Sequence, residues 1–266
     1  MTQHGALFVL STGRCGTQWL ADALACRLGD DAVVTHEPLD NDYAPREMLG
    51  AGDPKDLDDE LAEPLLDHID FIEEVLQTRP YIECGHPSWS SIPYLMRRFE
   101  GRVSVVHLVR HPVQTAFSWL THLAYCPPLA PHLREKVLLS PFDEGVRFPS
   151  YRNRWSALTP YEKALYYWLE VNALGLEIAS LRVRYEDLFD PRTLDHILTF
   201  AGLAASAGSA ATDPQQVVDR FHHVSPNWFN PYLIERHPEV IDLATRMSYE
   251  PLVFDEVALK RRYRVI

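Results

Sequence analysis

The stretch Leu7-Phe8-Val9-Leu10-Ser11-Thr12-Gly13-Arg14-Cys15-Gly16-Thr17-Gln18-Trp19-Leu20 decides how the rest of the chain is read. An apolar run of strand length stops at Ser11, passes two glycines that flank an arginine, and resumes with helical spacing through Trp19, Leu20, Ala23 and Leu24. This predicts a strand, a tight loop and a helix. Glycine lets the loop adopt conformations closed to other residues and brings its N–H groups close to a ligand. The helix start adds unpaired donors and a partial positive charge. Such a loop suits an oxyanion, most often phosphate; the plain alternative is an ordinary strand-turn-helix corner. The four-residue gap between glycines and the Gly-Lys-Ser/Thr ending of a Walker A loop are missing, and the only cation is Arg14, which counts against a magnesium-dependent NTPase.

Outward from this corner the chain keeps alternating. Ala32-Val33-Val34-Thr35 reads as a short strand closed by His36-Glu37-Pro38, so Glu37 falls at a strand end, the edge that carries ligands in open parallel sheets. Residues 40 to 60 read as loop, their Asp-rich run 53 to 60 as a solvated surface. A helix through Leu61, Leu65, Leu66, Ile69, Ile72 and Leu76 leads to a strand at Tyr81-Ile82-Glu83-Cys84 that ends on Gly85-His86-Pro87, and another helix is predicted from Ile92 to Phe99. Val103 to Val109 is the strongest strand; it ends at Arg110-His111-Pro112, with the proline well placed to open a helix carrying Ala116, Phe117, Trp119 and Leu120. Residues 124 to 160 lack a period and mix Pro, Tyr, Trp and Arg, which reads as a lid over an acceptor site or, equally, as aromatics packed on the body. A long helix from Tyr161 to Ile178, a strand from Leu181 to Leu188, helices at Pro191 to Leu203 and Pro214 to Phe221 with a small-residue linker at 204 to 211, and a last helix in the tail complete the reading. The expected fold is α/β in three layers, with a central parallel sheet of about five strands, helices on both faces and P-loop NTPase-like topology, in a single domain spanning 1–266.

With 266 residues and 46% hydrophobic content the chain can bury a full core. No apolar run reaches membrane-spanning length and no charged leader precedes the first strand, so a soluble, cytoplasmic protein is expected. Cys15, Cys26, Cys84 and Cys126 lack metal-ligand or disulfide spacing. A formal net charge of -12 argues against broad nucleic-acid or anionic-membrane binding but leaves room for a small polyanion held by local arginines and loop N–H groups.

Taken together, Thr12-Gly13-Arg14-Cys15-Gly16-Thr17-Gln18-Trp19 resembles the 5'-phosphosulfate loop of the sulfotransferases that use 3'-phosphoadenosine 5'-phosphosulfate (PAPS), which reads roughly Tyr-Pro-Lys-Ser-Gly-Thr-Thr-Trp in cytosolic members and Pro-Arg-Ser-Gly-Thr-Thr-Leu in the tyrosylprotein branch. In that family a strand ending in Leu-Val-Arg-His/Asp/Asn-Pro, followed by a serine two turns into the next helix, binds the 3'-phosphate; Arg110 and Ser118 match in type and spacing. Tyr185-Glu186-Asp187-Leu188 resembles the family's Tyr-Glu-Asp-Leu signature, which implies that Tyr185 lies beside the adenine. The C-terminal Arg-Lys-Gly nucleotide clamp of cytosolic members has no counterpart, Arg261-Arg262 being only a weak substitute.

The resemblance implies sulfuryl transfer from PAPS to a hydroxyl or amine of a small-molecule or glycan acceptor, leaving PAP, with no metal. Such an in-line displacement needs donor and acceptor aligned, charge on the sulfonate and leaving oxygens stabilised, and the acceptor proton removed. Arg14 and the N–H groups of residues 12 to 18 are the expected stabilisers. Glu37 and His86 compete for general base, Glu37 by its match to the glutamate of the tyrosylprotein, carbohydrate and bacterial branches and His86 by its match to the histidine of the phenol and steroid branch. An arginine in the loop is the partner seen with glutamate, which favours Glu37. The competing readings are a small-molecule kinase of related fold and a non-catalytic nucleotide-binding protein. The acceptor and the oligomeric state are not legible in the residues.

Overall fold

The computed structural model describes residues 4–50, 61–127, 137–203 and 223–265. Five strands, β1 (Ala6–Leu10), β2 (Val33–Thr35), β3 (Tyr81–Cys84), β4 (Val103–Val109) and β5 (Leu181–Arg184), form one sheet in the order β2-β3-β1-β4-β5. All four pairings are parallel. The three central strands β3, β1 and β4 are mostly apolar and buried because both faces are covered. In β1, Ala6, Phe8 and Leu10 turn into one core and Leu7 and Val9 into the other.

The second face is covered by helix α1 (Thr17–Leu28) through Leu20, Leu24 and Leu28. The first face is covered by helices from further along: α2 (Pro45–Gly50), α3 (Glu63–Val75), α4 (Ile92–Arg98), α5 (Pro112–Leu120) and α6 (Pro160–Ile178). Helix α7 (Pro191–Phe200) joins α1 through Leu194, Ile197 and Leu198. Helices α8 (Pro238–Arg246) and α9 (Glu256–Arg262) bring Val240, Leu243 and Leu259 to the larger core. Local chemistry sets the helix starts: Pro112 opens α5, and α6 starts from a full capping box in which Thr159 and Glu162 exchange bonds.

The predicted strands and the helices between them are present. Three differences have local causes. The segment read as loop after Glu37 contains a 3-10 turn at Asp40–Tyr43 followed by α2, and Tyr43 in it is fully buried. The last strand stops at Arg184, and Tyr185–Asp187 is a 3-10 turn. In the unperiodic segment, turns at Pro149–Asn153 and Trp155–Ala157 bury Tyr151 completely. The expected helix at 214 to 221, the linker at 204 to 211 and the Asp-rich run 53 to 60 lie outside the described residues.

His107 is an unexpected core residue of β4. Its Nε2 lies 2.8 Å from Asn172 Oδ1 of α6, and Gly175 makes room for the ring, since a Cβ there would come within 2.6 Å of it. Burial holds this imidazole down to about 4, so it stays neutral. Among the described residues no helix is long and apolar enough to cross a membrane.

The direction in which strands are added reverses around β1, between β3 and β4. The loops that leave the carboxyl ends of these three strands therefore flank one crevice, where ligands bind in open α/β sheets.

Candidate active site

The first of these loops has a backbone geometry that suits an anion. Gly13, Arg14 and Gly16 take φ of 72°, 59° and 83°, the left-handed region, which turns successive N–H groups toward one side. Ser11 Oγ accepts from Gly13 N at 3.0 Å, and the Thr12 hydroxyl donates to Gly13 O at 3.0 Å, which braces the turn from within. Gly16 is the N-cap of α1 and no side chain caps the helix, so its first donors are left for a ligand.

Arg14 is held from both of its ends. Its carbonyl accepts from Arg110 Nη1 at 2.7 Å, and its Nε donates to Ser118 Oγ at 3.2 Å. The loop after β1 and the pair at the β4 tip are therefore neighbours on the same side of the sheet, as a ligand spanning the two requires. By accepting from Arg14, the Ser118 hydroxyl keeps its own hydrogen for another partner. Arg110 also donates from Nη2 to Gln114 at 3.2 Å and sits 4.4 Å over the ring of Tyr185. Its Nε is buried and has no hydrogen-bond partner among the described residues. Tyr185 in turn packs against Gly16, where a Cβ would come within 3.2 Å of the tyrosine ring. The carbonyl of Arg110 accepts from Trp168 Nε1 of α6 at 3.0 Å.

The third loop brings the two candidate bases together. His86 Nδ1 lies 3.2 Å from Glu37 Oε1, and Nε2 of the same ring is buried with no hydrogen-bond partner among the described residues. Gly85 lets the chains approach: a Cβ on it would come within 2.9 Å of Glu37 N. The His86 ring rests on Gly13, whose added Cβ would meet Cγ at 2.8 Å, so this pair touches the anion loop directly. Trp119 completes the corner, donating from Nε1 to Thr12 O at 3.1 Å while its ring meets His86 edge-on at 5.3 Å.

Burial alone would raise the Glu37 carboxyl, but hydrogen bonds and charge from His86, with a smaller contribution from His36, hold it down to about 2. His36 was not singled out from the sequence. Its Nε2 lies 3.7 Å from Glu37 Oε1 and 3.2 Å from the hydroxyl of Thr17, which ties β2's end to the start of α1. The signal for it was its place at the same strand end as Glu37.

Two further residues of the loop have different surroundings. Cys15 is fully buried in the core under α1, and burial pushes its thiol up to about 11, leaving only its main chain for a ligand. Gln18 is exposed and donates to Asp22 one turn along α1. Arg261 and Arg262 remain exposed at the end of α9. The tail approaches the β4 tip through other residues: Tyr263 donates to Gln114 O at 2.7 Å, and Tyr249 lies 3.0 Å from Val109 O and 2.7 Å from Glu186 Oε2. Among the described residues no group of three His, Cys, Asp or Glu side chains is placed to hold a metal ion.

No protein-family model matches the chain. Comparison with curated protein sequences gives no match either. Solved structures do match over nearly the whole chain. A sulfotransferase from Alicyclobacillus acidocaldarius superposes with a TM-score of 0.53 at 15% identity, over 98% of this chain and 100% of that one. The sulfotransferase domain of the Synechococcus PCC 7002 olefin synthase gives 0.51 at 19% identity over 94% and 96%. Mouse sulfotransferase SULT7A1, solved in complex with PAP, gives 0.50 at 15% identity over 98% and 89%. The architecture built up from β1 and its loop is thus the sulfotransferase fold.

Proposed function

We propose that this chain is a PAPS-dependent sulfotransferase that transfers a sulfuryl group to a hydroxyl or amine of a small-molecule or glycan acceptor. The observation that carries the reading is the convergence on one loop: Arg14 touches Arg110 and Ser118 at 2.7 and 3.2 Å, while Gly13 carries the His86 ring. The residues present suit the nucleotide. The uncapped start of α1 and the left-handed turn offer N–H donors to the 5' end. Arg110, with a buried donor to spare, and the Ser118 hydroxyl suit the 3'-phosphate, and Tyr185 beside Gly16 suits the adenine.

His86 is the better proton acceptor of the two candidates. Its Nε2 is buried with no hydrogen-bond partner among the described residues, and Glu37 opposite Nδ1 is placed to receive the proton of that nitrogen, which leaves Nε2 as the acceptor. In this reading Glu37 orients and charge-balances His86, which reverses the preference drawn from the loop arginine. Arg14 acts by charge and hydrogen bonding, since a guanidinium does not give up a proton at working pH. The segment 124 to 160, of which residues 128 to 136 lie outside the described residues, serves as the acceptor cover of a single domain. Four cysteines without disulfide spacing suit a cytoplasmic setting.

The test is transfer of label from sulfur-labelled PAPS to a panel of phenols, alcohols, amines and oligosaccharides, run beside a thermal shift with PAP in EDTA. Labelled product and stabilisation by PAP without magnesium are expected. Stabilisation by ATP only with magnesium, with no product from PAPS, overturns the proposal in favour of a kinase.

A further inference from the structure

The segment that carries Glu37 takes a conformation that its residues resist. Between β2 and α2, Glu37, Asp40 and Ala44 take φ of 49°, 46° and 44°, a left-handed region in which an L side chain crowds its own backbone. Strain of this kind persists only where the surroundings over-determine it. On one side the strap is pressed onto Gly85. On the other it is latched by Tyr43, whose hydroxyl lies 2.6 and 2.7 Å from the two carboxyl oxygens of Glu83.

Glu83 is fully buried on β3. Its partners among the described residues are the hydroxyls of Tyr43 and Tyr81, the latter at 2.7 Å, and Nε2 of His68 at 3.1 Å. Thr35 of β2 adds a contact of 2.8 Å to the Tyr81 hydroxyl. A buried acid with no cation of fixed charge beside it among the described residues is a costly way to fill a core, and it holds its shape only while every donor is in place. Burial, then the charge of Glu83, pushes the Tyr43 hydroxyl far above its ordinary value, so it remains a donor at all working pH. The register places Thr35 opposite Glu83, so the acid sits at the ends of the two strands that lead into Glu37 and His86.

We propose that Tyr43 and Glu83 are positioning residues that act through Glu37: the latch between them keeps the strained strap closed on Gly85, so that the Glu37 carboxylate meets Nδ1 of His86. The kinetic part of this inference rests on the sulfotransferase reading; the structural part does not.

The test is Tyr43→Phe in the full chain, which removes one hydroxyl and keeps the ring. Two readouts are taken: nitrogen chemical shifts of the His86 imidazole, assigned by their loss in His86→Gln, and kcat and KM with PAPS. The expected result is that the single tautomer of wild type gives way to a mixture, with kcat lower on the order of tenfold and KM for PAPS changed by less than about twofold. Wild-type imidazole shifts and wild-type kcat in a variant that has lost only thermal stability overturn the proposal. Should Tyr43→Phe not fold, Glu83→Gln is read by the same imidazole shifts, where a mixture supports the latch and the wild-type signal overturns it. A mixture of tautomers in Tyr43→Phe, with no sulfuryl transfer by wild type, supports the latch and removes the reaction assigned to the site.

Discussion

The guanidinium of Arg110 stands 4.4 Å over the ring of Tyr185 while one of its nitrogens holds the carbonyl of Arg14 at 2.7 Å. One side chain thus joins the tip of β4, the turn after β5 and the loop after β1. Replacing it by alanine removes the charge and the forked donors together. Arg110→Ala is expected to bind PAP about ten- to hundredfold more weakly, as loss of hydrogen bonds to a charged group implies, and to lose its preference for PAP over 5'-AMP. Arg110→Lys should recover only a small part, since a point charge cannot hold both the loop carbonyl and a phosphate. Calorimetric titration with both nucleotides checks this, and an unchanged PAP preference in Arg110→Ala sinks the assignment.

Glu37→Gln should leave PAP affinity close to wild type and lower turnover by roughly 100-fold, because the amide can no longer balance charge on the imidazole or hold one tautomer. His86→Gln should lower turnover at least as far. Steady-state kinetics with a fixed acceptor decide the order of the two, and a His86→Gln enzyme with wild-type turnover removes His86 from the reaction.

The same pair makes stability depend on pH. The Glu37 carboxyl is held down to about 2 from an ordinary 4.5, so its contribution is present above 4.5 and is lost as pH falls through 2. The difference in Tm between wild type and Glu37→Gln should therefore be positive near neutrality and shrink between those limits. A difference that stays constant across that window shows that the carboxylate is not linked to folding.

Gly13 has two reasons to be glycine: a φ of 72° and the His86 ring at 2.8 Å from where a Cβ would lie. Gly13→Ala is expected to cost about 1 to 3 kcal/mol of stability and to push the imidazole out of place. Denaturant unfolding gives the first number. Loss of turnover in the folded variant, out of proportion to any change in PAP affinity, confirms the second.

Thiol chemistry separates the four cysteines. Cys26 is exposed, whereas Cys15, Cys84 and Cys126 are buried and desolvation pushes each thiol upward, Cys15 to about 11. Iodoacetamide at neutral pH should label Cys26 alone in the native protein. Rapid native labelling of Cys15, read by peptide mass mapping, contradicts the packing of the loop.

Much of the scaffold was legible because buried parallel strands and amphipathic helices leave strong periodic marks. Val103 to Val109 reads as a strand from its branched residues alone, and Pro112 announces α5. The three loops at the crevice were legible for a different reason, namely that glycine, arginine and histidine at strand ends have few structural uses. What was not legible depends on contacts between distant segments. Nothing in the local sequence says that Tyr43 reaches Glu83, that His107 meets Asn172, or that Glu37 and His86 bond to each other. The Asp- and Pro-rich composition after Glu37 masked a short helix, because Pro45 opens α2 where a proline reads as a breaker. The strand read from Leu181 to Leu188 ends four residues early, at Arg184, so Tyr185 stands in a turn with its ring against Gly16.

Helix α6 carries Trp168, which holds the carbonyl of Arg110, and Glu170, whose carboxyl oxygens accept the amides of Arg147 and Phe148 at 2.9 Å each. Two rungs of one rod, separated by about 3 Å of rise, thus hold the loop after β4 and the segment at Arg147 and Phe148 to the same helix. A shift of α6 along its axis would therefore carry both attachments with it, so that two segments distant in sequence depend on the placement of one helix.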